Sequence, residues 1–401
     1  MSMPEPIGTN LRRYRIAREM TQESLAEKAG ISVQGYRNIE GSKSLPRSET
    51  LLALSQALDV RLHDLVKPAE PLRHVRFRSH KNLKRREEVL ARVAQWLDDY
   101  RFLEDLLERR QEYRLESLTS EIGRWRADGV DRARRAAAEV RGSLALGDEP
   151  IRNICGLLES GAGIKLLTRL KVATPVGVDS AESGFFGLSV AAEDGGPAVV
   201  VNTWERISVE RWIFTAAHEL AHLLLHQGAY RVDDSQEVEQ EEREANVFAS
   251  YFLMPPGLFQ KEWAETAGMA LVDRVLKVKR IFRVSYSTVL YRLSEMYPLH
   301  KDKFWGRFHY DYKRRYGRRL ARTDEPDPLG QENFGPVSLR SKEPDGLSPI
   351  DFTEDRLAGL VREAVQQDKI SLSRGAEILD LSLIEFREWI ASWNLESVGV
   401  G

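Results

Sequence analysis

The most constraining stretch of this chain is Arg211–His226, which sets His218-Glu219-Leu220-Ala221-His222 inside an apolar run. On an α-helix, positions i and i+4 lie on one face a turn apart, so His218 and His222 can aim both imidazoles at one point. Glu219 is turned about 100° from His218, within reach of a water held at that point. Trp212, Ile213, Phe214, Leu220, Leu223, Leu224 and Leu225 make the helix a buried one. Ser208 stands where an N-cap is needed, and Glu210 where the first turn favours an anion. In a chain with 8 histidines, an H-E-x-x-H arises by accident roughly one time in a hundred. The spacing therefore needs a third arm before it means metal, since a catalytic zinc takes three protein ligands and keeps one position open.

The acidic run that begins at Glu237 offers that arm. Val238, Ala245, Phe248, Ala249 and Phe252 mark the inner face of a second helix, which Pro255 and Pro256 end. Glu242 and Asn246 stand at i and i+4, so a carboxylate ligand and a supporting amide can share a face. Most other carboxylates of the run read as a solvated face.

Phe214–His226, followed by Glu242–Ala249 and Phe252–Pro255, resembles the ImmA/IrrE family of zinc-dependent metallopeptidases, with two separate signatures in the right order. The resemblance implies a Zn2+ ion held by His218 and His222, with Glu219 as catalytic base and a glutamate of the second helix as third ligand. Glu242 is favoured for that place and Glu244 is the close competitor. Upstream, Ile164–Ala173, Gly184–Ala192 and Ala198–Asn202 read as strands between glycine-rich turns. A small sheet before the metal helix is the order expected of a zincin-like peptidase. Ala198–Asn202 is the candidate edge strand on which a substrate would add as a further strand.

At the other end, residues 7–66 read as five short helices. Thr21 and Ser32 are candidate N-caps, and Gly30 ends the second helix. Thr21–Glu40 resembles the XRE-type (lambda-repressor-like, Cro/cI-type) helix-turn-helix. A recognition helix presents its N-terminal side chains to base edges in the major groove, which here are Ser32, Val33, Gln34 and Asn38. Glutamine and asparagine can pair with adenine and valine can meet a thymine methyl. Gln22, Arg37 and Lys43 are candidates for phosphate contacts, while Tyr36 and Ile39 read as core. Net charge is −2, so any basic surface must be local. One such stretch is Arg73–Arg86, with seven Lys/Arg and no acid, read either as extra DNA contact or as the start of a linker.

The fold class expected is multidomain and mainly α with a small β-sheet. An all-α helix-turn-helix domain (1–68) leads to a helical arm (69–147), then to an α+β zincin-like domain (148–298). A basic-aromatic segment and linker (299–349) and a helical C-terminal element (350–401) follow. Lys303–Arg322 carries eight Lys/Arg, one acid and six aromatics, read as a helix packing its aromatics or as a nucleic-acid contact. The single cysteine, Cys155, excludes an intramolecular disulfide framework and reads as a small buried residue. No apolar run long enough to cross a membrane occurs. The function expected is a DNA-binding regulator, a homodimer on operator DNA in a prokaryotic cytoplasm, with a zinc endopeptidase that cleaves an XRE-type repressor or itself. The alternative is the antitoxin of a toxin–antitoxin pair, its zinc domain serving to sense or dock a partner.

Overall fold

The chain divides into two units, one made of Met1–Arg73 with Leu83–Arg109, the other of His74–Asn82 with Arg110–Gly401. The computed structural model describes residues 6–18, 20–66, 72, 74–78, 86–125, 129–173, 185–227, 239–320, 324–328 and 346–393.

In the first unit, α1 (Pro6–Ala17), α2 (Gln22–Lys28), α3 (Val33–Glu40), α4 (Ser48–Leu58) and α5 (Leu62–Val66) are the five short helices expected. The Thr21 side chain caps α2 by accepting the Ser24 N–H at 3.1 Å, and Ser32 caps α3 by accepting the Gly35 N–H at 3.1 Å. Between them Gly30 takes a φ of +68°, which costs a residue without a Cβ little. Leu11, Tyr14, Leu25, Tyr36, Leu54 and Leu58 close the core. An ion pair of 2.6 Å between Arg15 and Glu40 joins α1 to α3.

A sixth helix, α6 (Arg86–Leu107), belongs to this unit. Val93, Leu97, Tyr100 and Leu103 are fully buried along it, and Asp98 pairs with Arg13 of α1 at 2.9 Å. The stretch expected as one helical arm is thus divided. Its first helix packs in unit one, and its continuation from Arg110 packs in unit two. The apolar side of α6 is broad, as in a helix with a partner rather than a solvated spacer.

The second unit begins with β1 (Val75–Arg78) and resumes with α7 (Glu116–Ile122), α8 (Gly129–Ser143) and α9 (Ile154–Gly156), which runs into a π-helical turn, Leu157–Ala162. Then come β2 (Lys165–Leu170), β3 (Gly187–Val190), β4 (Ala198–Asn202), α10 (Val209–Leu225) and α11 (Glu239–Leu253). The helices α12 (Pro256–Glu265), α13 (Leu271–Phe282), α14 (Tyr286–Met296), α15 (Lys301–Tyr316), α16 (Arg356–Gln366), α17 (Leu372–Ile378) and α18 (Leu383–Trp393) complete it. The sheet order is β1-β3-β4-β2, with β2 and β4 parallel and β3 antiparallel to both of its neighbours.

This order corrects two readings. Ala198–Asn202, expected at the edge, lies inside the sheet. Each of its residues is buried, as in a strand covered on both faces. The basic run Arg73–Arg86, expected as linker or DNA contact, supplies the edge strand β1; residues 73 and 79–85 lie outside the described ones. Val238 of the expected inner face, Gly184, and residues 329–345 of the expected linker also lie outside them.

Helix α15 turns Phe308 and Tyr312 into the core, with Phe308 stacked on Tyr286 at 5.1 Å, so these aromatics serve packing. Arg169 on β2 holds the C-terminal helices through Glu354 (2.7 Å) and the Leu379 carbonyl. Cys155 is fully buried, and burial raises its thiol pKa well above the usual range. No helix among the described residues is long and apolar enough to cross a membrane.

Candidate metal centre

Helix α10 starts where Ser208 accepts the Arg211 N–H. From its middle on, His218, Glu219 and His222 are fully buried. Helix α11 packs beside it and brings in Glu242. The Nε2 atoms of His218 and His222 stand 2.9 Å apart. Glu242 puts Oε2 3.2 Å from the first and Oε1 3.1 Å from the second. Donors on a tetrahedral zinc, at bond lengths of 2.0–2.1 Å, sit about 3.3 Å from one another. The three side chains therefore already have nearly the spacing of a zinc ligand set, and they are the group of possible metal ligands found among the described residues.

The surrounding hydrogen bonds say which atoms carry protons. Nδ1 of His218 lies 3.1 Å from Oδ1 of Asn246, an oxygen that only accepts, so the proton is on Nδ1 and the lone pair on Nε2. A longer chain fixes His222. Glu244 accepts from Nε2 of His226 (3.3 Å), which leaves Nδ1 of His226 to accept from Nδ1 of His222 (2.9 Å). The lone pair of His222 therefore also points inward from Nε2. Burial pushes the His222 imidazole well below its usual pKa, so it is neutral. Two lone pairs and a carboxylate converge, a set that a cation satisfies.

Of the two glutamates in competition, Glu242 stands at the imidazoles. Glu244 stands at His226, whose hydrogen bond keeps its carboxyl ionised. Three further residues escaped the sequence reading. One is His226, which the repeated four-residue step 218–222–226 could have flagged. A second is Arg76 of β1, paired with Glu241 and 3.5 Å from Oε1 of Glu242. The third is Gly187 of β3. A Cβ there would lie 2.6 Å from Cγ2 of Thr215, 2.8 Å from the Val200 oxygen and 3.2 Å from Oε1 of Glu219. Strand β3 thus runs directly against the Glu219 side of α10.

In the first unit, the Ser32 hydroxyl is engaged as the cap of α3, and Val33 is half-buried against the core. Gln34 is exposed and donates to Oδ1 of Asn38 at 3.1 Å. Arg37 is exposed and donates to Gln22 (3.2 Å) and Glu23 (2.6 Å). Lys43 is exposed just beyond α3. Tyr36 and Ile39 lie in the core, as expected.

Two family models match: a helix-turn-helix over residues 11–65, and the IrrE N-terminal-like domain of peptidase family M78 over residues 185–294. An HTH-type transcriptional regulator of Sinorhizobium fredii, y4dJ, is 34% identical over 70 residues, 18% of this chain and 91% of that protein. The solved structure of ComR from Streptococcus suis aligns over 98% of this chain and 96% of its own at 12% identity, with a TM-score of 0.15, so the likeness says nothing of the fold. On the first matches, the chain belongs to the helix-turn-helix transcriptional regulators of the XRE type. More particularly, it is such a regulator carrying an IrrE-type domain of the M78 metallopeptidase family, which is zinc-dependent in general.

Proposed function

We propose that this regulator is also a working zinc endopeptidase, which cleaves a repressor protein or its own chain to release genes from repression. The observation that carries the reading is the convergence of three lone-pair donors beside a buried Glu219. His218, His222 and Glu242 would hold the ion. When bound, zinc supplies a Lewis acid for the scissile carbonyl and makes water acidic enough to attack near neutral pH. Glu219 takes the attacking water's proton on its carboxylate and returns it to the leaving amine. Asn246 fixes the ring of His218, and His226 with Glu244 fixes that of His222. Strand β3 lays backbone along this site, where an extended peptide can be gripped.

The DNA half of the proposal assigns Gln34 and Asn38 to base edges. Ser32 and Val33 bring the start of α3 into the groove, and Gln22, Arg37 and Lys43 contact phosphates, on a two-fold operator bound by a homodimer. The decisive test is Glu219→Gln. The nearly isosteric amide should keep zinc and operator binding but lose cleavage of repressors encoded beside this gene by 10²–10⁴-fold, the usual worth of a general base. A variant that derepresses as wild type does would instead favour the docking or antitoxin role.

A further inference from the structure

We propose that the outer edge of β3 is the peptide-binding edge of the metal centre, and that β1 is its built-in occupant, a strand which an incoming extended peptide must displace. The inference rests on the peptidase reading only for the fate of the peptide once bound.

Strand β1 pairs antiparallel along the whole of β3, Val75 opposite Val190 and Arg78 opposite Gly187. The His74 carbonyl accepts the Ala191 N–H at 3.0 Å beyond the end of the ladder. The other side of β3 is taken by β4, so the edge covered by β1 is where a further strand can add to β3.

Register then decides what such a strand meets. Residues directly opposite in an antiparallel pair share a face, and faces alternate along each strand. Arg76 is opposite Ser189, two residues from Gly187, and the missing side chain of Gly187 points at Thr215 and Glu219. Arg76 therefore lies on the face that looks at α10 and α11, where its guanidinium meets Glu241 and Glu242. A strand at this edge thus passes over the centre and sets a cation on the carboxylate that stands between the two imidazoles. Backbone pairing alone would hold the sheet; the buried arginine adds recognition of side chains. The ligand class that fits is an extended peptide, antiparallel to β3, with arginine or lysine opposite Ser189.

The origin of β1 fits an occupant. In the chain it lies between α5 and α6, both helices of the other unit.

The test uses the full-length, zinc-loaded protein with Glu219→Gln, so that nothing is cut, and a fluorescent peptide of the sequence 72–80. Arg76→Glu in the protein sets a carboxylate against Glu241 and Glu242 and should free the edge. Peptide affinity should then rise at least ~10-fold over the protein with Arg76 intact. Hydrogen exchange at the Ala191 amide should speed up, and a peptide that itself carries Arg76→Glu should bind at least ~10-fold more weakly than the natural sequence. Arg76→Ala, with helix content followed by circular dichroism, repeats the measurement if the charge reversal unfolds the protein. Equal peptide affinity with and without the substitution, or unchanged Ala191 exchange, would overturn the proposal. Absence of cleavage by the Arg76→Glu protein with Glu219 intact would sink the peptidase reading and leave these binding results standing.

Discussion

Two neighbouring histidine–carboxylate groupings lie where the second half of α10 and its C-cap, His226, meet α11, and they differ in where the hydrogens point. At His226 and Glu244 each contact pairs a donor with an acceptor: Glu244 accepts from His226 and from Gln240, and His226 accepts from His222. At His218, His222 and Glu242 the acceptors face one another at 2.9 to 3.2 Å, because both Nδ1 protons are already engaged outside. The same residue types at the same helical step therefore make a closed hydrogen-bond chain in one place and a cation site in the other. Spacing nominates both; proton direction separates them.

The sharpest way to break this contrast is to remove ligands. His218→Ala, His222→Ala and Glu242→Ala should each take the purified protein from about one zinc per chain to none after dialysis, as measured by metal analysis. If Glu242→Ala keeps its metal and Glu244→Ala loses it, the two groupings have been read the wrong way round. A smaller effect is expected one step out. Glu244→Gln or His226→Phe should leave the site loadable but weaken zinc 10–100-fold in competition with a chelator, the usual cost of losing a group that orients a ligand.

The smallest effect concerns a buried carboxylate with no imidazole at all. Glu159 accepts the N–H groups of Asp355 (3.0 Å) and Arg356 (3.3 Å). Burial raises its pKa to about 7 against those two hydrogen bonds, with Glu354 and Asp355 adding to the rise. The unfolded chain releases this proton near pH 4.5 and the native protein near 7. The native state thus holds the extra proton between these values, and stability falls as pH rises through that window. Glu159→Gln should remove the fall, raising stability by about 3 kcal/mol at pH 8 and changing little below pH 4.5. Thermal melts at both pH values check it; an equal gain at each would mean that packing, not charge, is at work.

Much of this centre was legible because helices carry their geometry in local spacing. The steps 218–222 and 242–246 by themselves place two imidazoles, a carboxylate and the Asn246 amide, and the caps Thr21, Ser32 and Ser208 mark helix starts. The sheet was less legible, since strand neighbours are set by contacts distant in sequence. The unbroken apolar run Ala198–Val201 could have marked an interior strand, as its burial shows. Val75 and Phe77 do alternate with Arg76 and Arg78, a strand signal that the density of positive charge concealed. Nothing near Gly187 announced that its bare Cα makes room for Glu219.

The distance along the chain between β1 and its partner has a consequence during synthesis. Val190 is made about 115 residues after Val75, and at ribosomal rates of 5–20 residues per second that is a wait on the order of 10 s. The sequence of the first unit is complete at Arg109, long before β3 appears. When β3 emerges, its outer edge therefore meets a strand already tethered to the same nascent chain. Neighbouring ribosomes on one message expose identical edges, and an edge left open is a template for pairing between chains. A guard strand made in advance closes that edge within its own molecule first.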